Sequence, residues 1–251
     1  MPMESEQLEA VVMDIVAGIR DAIIKHHVTV DQYRFAVDYL GRLADARELP
    51  LLLDVFLNVA AVDAENEVTK GSPQAIQGPY YREDAPAVTD RLKTLDHDNE
   101  RPLVVRGQVR DIDGSVLPGA EVDIWHSTPT GKYSGFHDNI PVDYYRGKLT
   151  SDSEGAYRVA TTAPVPYQIP NQGYTGALLE AMGRHSWRPA HVHFKVRKPG
   201  FKTVTTQVYF EGGQWVDSDC CSGVRDDLVR RTTQEDGVDT LTVDFVLDRA
   251  A

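Results

Sequence analysis

Cysteine is almost missing from this chain. Its 251 residues include two, Cys220 and Cys221, side by side. Adjacent cysteines rarely bridge each other, because the linkage strains the peptide between them. A disulfide framework is therefore excluded, and the pattern suits a reducing compartment. Long apolar runs are missing too, since no stretch approaches the roughly 18 apolar residues a membrane-spanning helix needs. Positive charge is in deficit: 26 Lys and Arg face 38 Asp and Glu, for a formal net charge of −12. Without a basic stripe to displace counterions, binding to a nucleic-acid backbone is not expected. The opening "MPMESEQLEA" has no basic start followed by an apolar run, so it reads as no signal peptide, and a cytoplasmic location is expected. There is no long internal repeat and no low-complexity tract. What is present is an ordinary globular composition, 41% hydrophobic and 25% charged, in a chain long enough to bury a sizeable core.

Residues 1–70 read as helical. Leu8, Val11, Val12, Ile15, Val16, Ile19 and Ile23 recur at three- and four-residue steps and form one apolar stripe. A second helix opens at "TVDQ", with Thr29 as cap and Gln32 three residues on, as in a capping box. A third begins near Pro50, which suits a first helical turn. Its run "LLLDVFLNVAAV" is apolar nearly all round, so burial is expected in the chain's own core or against a second subunit. After the Gly- and Pro-rich "GSPQAIQGPYYREDAP" the pattern becomes β. Short strands alternate with turns at Asp113-Gly114, Pro118-Gly119, Glu154-Gly155 and Pro199-Gly200. "DTLTVDFVL" places Leu241, Val243, Phe245 and Leu247 at period two. Residues 71–251 are expected to form a β-sandwich, giving an α+β chain overall.

"RPAHVHFKV" (188–196) carries the first chemical signal. Strand side chains alternate between faces. Val192, Phe194 and Val196 then point into a core, while His191 and His193 share the opposite face. Two such imidazoles form either a polar pair on a solvent face or a pair of metal ligands. An iron site of two histidines and one carboxylate would want an acid nearby, but none follows until Glu211. His137, His185 and the two cysteines remain as further candidate ligands. Eleven tyrosines offer another donor type, several of them in Gly/Pro-rich loops: Tyr133, Tyr144, Tyr145, Tyr167 and Tyr174. A phenol titrates near pH ~10, so it ligates only an ion acidic enough to strip its proton. Fe(III) is such an ion.

Taken together, "IQGPYYREDAP", "GKYSGFHDN", "PVPYQIP", "GRHSWRPAHVHF" and "TTQ" resemble the intradiol ring-cleavage dioxygenases. The resemblance is strongest to the chlorocatechol 1,2-dioxygenase subgroup and runs over nearly the whole chain. It implies a non-haem Fe(III) held by Tyr133, Tyr167, His191 and His193. Tyr133, His191 and a hydroxide would lie equatorial, and Tyr167 and His193 axial. Two phenolates and one hydroxide would balance the trivalent charge and limit the cost of burying it. The implied reaction is cleavage of a (chloro)catechol by O2 to a (chloro)-cis,cis-muconate, within aromatic or chloroaromatic degradation. Tyr167 would accept one substrate proton. Arg188 would stabilise negative charge developing on the ring, and Gln207 would support Arg188 or the substrate.

The same resemblance lines the substrate pocket with Leu51, Asp54, Val55, Ile76, Gly78, Pro79, Tyr80, Cys220 and Cys221. It also implies a homodimer through the N-terminal helices, with a phospholipid able to sit between subunits. His26, His27, His97 and His126 have no partner motif and read as surface or core residues. His137, His185, Asp138 and Asn139 fall inside the motifs without a role. Three other readings compete. One is a catechol or hydroxyquinol dioxygenase of the same family. A second is a non-enzymatic, transthyretin-like sandwich, which would leave four potential ligands unexplained. The third is a two-histidine, one-carboxylate Fe(II) oxygenase, which would leave both tyrosines idle.

Overall fold

The structure, a computed structural model, describes residues 4–95 and 101–250. The chain divides into two compact units, Met1–Leu49 and Pro50–Ala251. His97 lies outside the described residues.

The first unit holds α1 (Ser5–Lys25) and α2 (Val30–Asp45). The expected capping box is present. Thr29 Oγ1 accepts from the Gln32 N–H at 3.2 Å, and Gln32 Oε1 accepts from the Thr29 N–H at 2.9 Å, so two otherwise unpaired helix-end donors are satisfied. Along α1 no residue is fully buried, and along α2 only Leu43 is. Leu8, Val12, Ile15 and Ile19 on the α1 stripe are exposed.

The second unit opens with α3 (Leu49–Phe56) and α4 (Asn58–Asn66), where the sequence suggested one helix. The break is at Leu57, whose φ of −123° leaves the helical range. Leu52 and Val55 are buried, but Leu53, Phe56 and Leu57 are exposed. The run that looked apolar on all sides therefore buries only one face within this chain.

Among the described residues, ten of the twelve strands form two five-stranded sheets, and the other two pair with each other. In one, β1 (Pro102–Asp111) is central. β4 (Ala156–Thr162) runs antiparallel along one edge. Along the other, β11 (Val238–Thr242) and then β12 (Phe245–Leu247) pair with it in parallel, and β10 (Thr233–Glu235) adds to β11. The passage from β11 to β12 crosses directly over Gly107. A Cβ there would sit 1.7 Å from the Val243 carbonyl oxygen, so only glycine fits. The second sheet runs β3 (Arg146–Thr150), β2 (Glu121–His126), β7 (His191–Arg197), β8 (Val204–Phe210), β9 (Val229–Arg230).

The strands on either side of the expected turns exist, and Gly114, Gly119, Gly155 and Gly200 all take positive φ. The partners differ from a simple hairpin reading. β1 and β2 lie in different sheets, as do β3 and β4, while β7–β8 is a true hairpin. The core lies between the sheets. Val105, Val109, Val159, Leu241, Val243, Phe245 and Leu247 meet Val122, Ile124, Leu149, Val192, Phe194, Val196 and Val208 there. Each fully buried side chain of this kind contributes roughly 1.5–3 kcal/mol, which fixes the strand parity on which the site depends.

Candidate active site and metal centre

Because Val192, Phe194 and Val196 are committed to the inter-sheet core, His191 and His193 must project from the sheet's other face. That face is not open to solvent, since each histidine is only 1% exposed. Cross-strand register supplies the neighbours. His193 lies opposite Trp125 of β2 and Gln207 of β8, and His191 lies opposite Tyr209. Directly opposed residues share a face. The Trp125 ring accordingly stacks on His193, with centroids 4.6 Å apart and planes 7° apart.

Tyrosines arrive from two loops. Tyr133 follows β2 and is fully buried. Its Oη lies 3.4 Å from His193 Nε2. His137 Nδ1 accepts from the Tyr133 N–H at 3.0 Å, giving that motif histidine a supporting role. Tyr80 stacks on Tyr133 at 4.2 Å and 15°. Arg146, fully buried, ties both together from behind. Its Nε and Nη2 donate to Ser134 Oγ and Ser134 O at 2.8 Å each, and its Nη1 donates to Tyr80 O at 3.2 Å. Tyr167 stands in β5 (Tyr167–Gln168), paired antiparallel with β6 (Trp187–Arg188), so Tyr167 and Arg188 are direct cross-strand partners. The Tyr133 and Tyr167 rings meet edge to face at 5.3 Å.

The electrostatics of this cluster suit a cation. Burial pushes both phenols well above their ordinary range. Burial, with Arg188 beside it, pushes His191 down to about 3. Burial and then the His191 ring hold His193 far down as well. All four groups are thus neutral donors at pH 7 unless a positive ion joins them. His191 Nδ1 lies 2.8 Å from the Pro189 carbonyl oxygen. That oxygen can only accept, so the Nδ1 carries the proton and Nε2 presents a lone pair. His191 Nε2 and His193 Nε2 are 3.0 Å apart, and His193 Nδ1 is buried without a hydrogen-bond partner among the described residues. Two converging imidazole nitrogens with two phenols alongside fit a hard, strongly charged ion that ionises the phenols.

Arg188 is held on several sides. Its Nε donates to Asp219 Oδ1 at 3.1 Å. Its Nη2 lies within hydrogen-bond distance of Asp219 Oδ2 (3.0 Å), Gln207 Oε1 (3.0 Å) and Tyr209 Oη (2.8 Å). Gln207 in turn donates from Nε2 to the Ile76 carbonyl. Burial opposes ionisation of Asp219, but the guanidinium outweighs it and holds the carboxyl below its usual range. This pairing also bears on the two-histidine, one-carboxylate alternative. The described residues include one buried group of His, Cys, Asp or Glu donors close enough to share an ion, Asp219 with Cys220 and Cys221, and its carboxylate is occupied by Arg188.

Of the expected pocket residues, Val55, Ile76, Tyr80, Cys220 and Cys221 pack in one buried cluster with Tyr133 and Tyr167, and Leu51 packs against it. A Cβ on Gly78 would lie 3.6 Å from His193 Cε1. Asp54 is largely exposed, though partial burial raises its pKa and its charge reaches Cys221. Pro79 is exposed. His185 accepts from the Trp187 N–H at 3.1 Å and packs on Trp215. His126 is buried between the Ser127 carbonyl and Thr161 Oγ1, His26 and His27 are exposed, and Asp138 is exposed. Sequence reasoning missed Trp125, Arg146, Tyr209 and Asp219. Tyr209 was findable, two residues after Gln207 on the same strand face. Asp219 has no local signal at all.

Known proteins share this arrangement. Residues 76–249 match the family described as Dioxygenase. The chain is 57% identical over 235 residues to a chlorocatechol 1,2-dioxygenase of Pseudomonas putida, covering 94% of this chain and 90% of that one. It is 53% identical over 246 residues to a chlorocatechol 1,2-dioxygenase of Cupriavidus pinatubonensis, covering 98% and 96%. The crystal structure of a Pseudomonas putida chlorocatechol 1,2-dioxygenase superposes with a TM-score of 0.93 at 55% identity, over 98% of this chain and all of that one. With that fold, that identity and two tyrosines and two histidines gathered in one buried cluster, the chain belongs to the intradiol ring-cleavage dioxygenase family, whose members use non-haem iron.

Proposed function

We propose that this enzyme opens chlorocatechols between their two oxygenated carbons, at an Fe(III) held by Tyr133, Tyr167, His191 and His193. The observation that carries the reading is the convergence of these four buried donors from three separate segments. Relatives at 53–57% identity that are named for chlorocatechol support the substrate class. Bound there, Fe(III) supplies a Lewis-acid anchor for both catechol oxygens and draws electron density from the ring so that it reacts with O2.

The chain's own residues do the rest. Tyr167 Oη, beside Arg188, receives one catechol proton. Arg188 keeps Nη1 without a partner among the described residues, and this N–H donates to the substrate where negative charge develops. Gln207 keeps the guanidinium turned that way. Val55, Ile76, Tyr80, Cys220 and Cys221 bracket the ring and exclude water, with Leu51, Asp54, Gly78 and Pro79 completing the wall. Such an apolar wall separates substrates differing by one substituent by roughly 1–3 kcal/mol. Both atoms of O2 enter the (chloro)muconate and no outside reductant is consumed.

The exposed apolar stripe on α1 supports a homodimer formed through residues 1–70, with a phospholipid between subunits, while residues 71–251 carry catalysis. No helix among the described residues is long and apolar enough to cross a membrane; a cytoplasmic enzyme fits the paired free thiols. The test is anaerobic titration of the iron-loaded protein with catechol and its 3- and 4-chloro derivatives, read in the visible and followed by admission of 18O2. A wine-red resting protein, a band that shifts with each catechol, and a dicarboxylate carrying two labelled oxygens are expected. A colourless iron-loaded protein, or Arg188→Ala turnover within about threefold of wild type at equal iron content, would refute the assignment.

A further inference from the structure

Asp219 sits in none of the motifs and lies 31 residues beyond Arg188, yet both of its oxygens are spent on that side chain. We propose that Asp219 is a positioning residue for Arg188, and that segment 219–223 joins the substrate-facing cation to the pocket wall as one rigid unit. The inference rests on the reading of Arg188 given above.

Three features carry it. First, the contact is two-pronged. Oδ1 takes Nε and Oδ2 takes Nη2, which fixes the guanidinium plane as well as its position and leaves Nη1 for the substrate. Second, the side chains are 3% and 1% exposed. In such a place the cation without its partner would be costly to keep, so the paired state is the one in which Arg188 can be held there at all. The paired guanidinium then acts on the substrate chiefly as an oriented hydrogen-bond donor. Third, the same carboxylate organises the segment that carries the wall. Oδ1 accepts from the Cys221 N–H at 3.3 Å and Oδ2 from the Gly223 N–H at 3.0 Å, so the chain around Cys220 and Cys221 is folded about Asp219. A side chain at Gly223 would crowd this pair. A Cβ there would stand 3.0 Å from Arg188 Nη2 and 3.2 Å from Asp219 Oδ2. Gln207 and Tyr209 close the other side of the guanidinium.

A merely structural ion pair would lower stability and iron uptake and leave the turnover of each loaded site alone. Positioning predicts a different pattern, read on iron-loaded Asp219→Asn and Gly223→Ala proteins beside wild type. Asparagine keeps an acceptor for one of the two loop N–H groups but loses the charge and one prong. The expected result is a kcat per iron lowered roughly 10- to 100-fold, the scale of a small misplacement, with KM within about threefold of wild type. The resting visible band should be unchanged. The preference for 3-chlorocatechol over catechol should shift in Gly223→Ala, because wall and cation move together. If Asp219→Asn does not fold, Gly223→Ala alone decides by the same kcat criterion. A kcat per iron within about threefold of wild type, or a loss fully accounted for by missing iron, overturns the proposal. Wild-type protein that loads iron yet leaves catechols intact would overturn the reading of the site, and this inference with it.

Discussion

Replacing Arg188 by methionine keeps most of the side chain's bulk and removes its charge, leaving Asp219 alone in a buried site. The cost can be worked from the carboxyl group. Its side chain is 1% exposed, and in the native protein the guanidinium offsets the burial that opposes ionisation. Without Arg188, Asp219 must stay charged in the interior or bind a proton. From an ordinary pKa of 3.8, taking up a proton at pH 7 costs about 1.4 kcal/mol for each of roughly three pH units, about 4 kcal/mol in all. Breaking a buried pair by removing one partner typically costs ~3–5 kcal/mol, so the two routes agree. Arg188→Met should therefore lose about 4 kcal/mol in urea denaturation at pH 7. The variant's folded-state carboxyl pKa is raised above its unfolded value, so its deficit should shrink as pH falls toward 4. Adding Asp219→Asn removes the stranded charge yet keeps an acceptor for one of the two N–H groups, of Cys221 and Gly223, that the carboxylate serves. The double variant should regain roughly 2–3 kcal/mol and none of the turnover. Two results would refute the reasoning. A double variant as unstable as the single would mean that stranded charge is not the penalty. A double variant with restored turnover would mean that Arg188 does not act on the substrate.

Tyr133→Phe should bleach or shift the visible band of the iron-loaded protein and lower iron retention under dialysis against a chelator; a wild-type spectrum would remove Tyr133 from the donor set. His126 is fully buried, and burial holds its pKa down to about 4 from 6.5. Its stabilising contribution is present above pH 6.5 and is lost as pH falls toward 4, amounting to about 2 kcal/mol by pH 5. In His126→Gln the stability difference between pH 7 and pH 5, measured by urea denaturation of the iron-loaded protein, should be smaller by that amount. Gly107→Ala would drive a methyl group into the Val243 carbonyl oxygen; loss of more than ~4 kcal/mol, or no folded protein, is expected, and a melting temperature near wild type would contradict the crossing described at β1.

The periodicities were enough to read α1, α2, the capping box, the turns and the face shared by His191 and His193, because each depends on residues within one or two turns of chain. Leu241, Val243, Phe245 and Leu247 are all buried as their alternation implies, although the strand they suggest is interrupted between β11 and β12. The helix break at Leu57 was not legible, since nothing in "LLLDVFLNVAAV" forbids a continuous helix. Nor was the sheet membership of β1 and β4 against β2 and β3: a turn signal says where the chain reverses, not which sheet it rejoins.

By itself the sequence determined which side chains carry donors and which strand face presents the histidines, because alternation along a strand follows from backbone geometry. The ordered motifs also identified the family. Only the tertiary structure decided what meets what. It set Tyr167 opposite Arg188, laid Trp125 flat on His193, buried Arg146 behind Tyr80 and Tyr133, and brought Asp219 across to grip the guanidinium. These contacts join segments tens of residues apart. They arise from sheet register and loop packing, for which no short stretch of chain carries a signal.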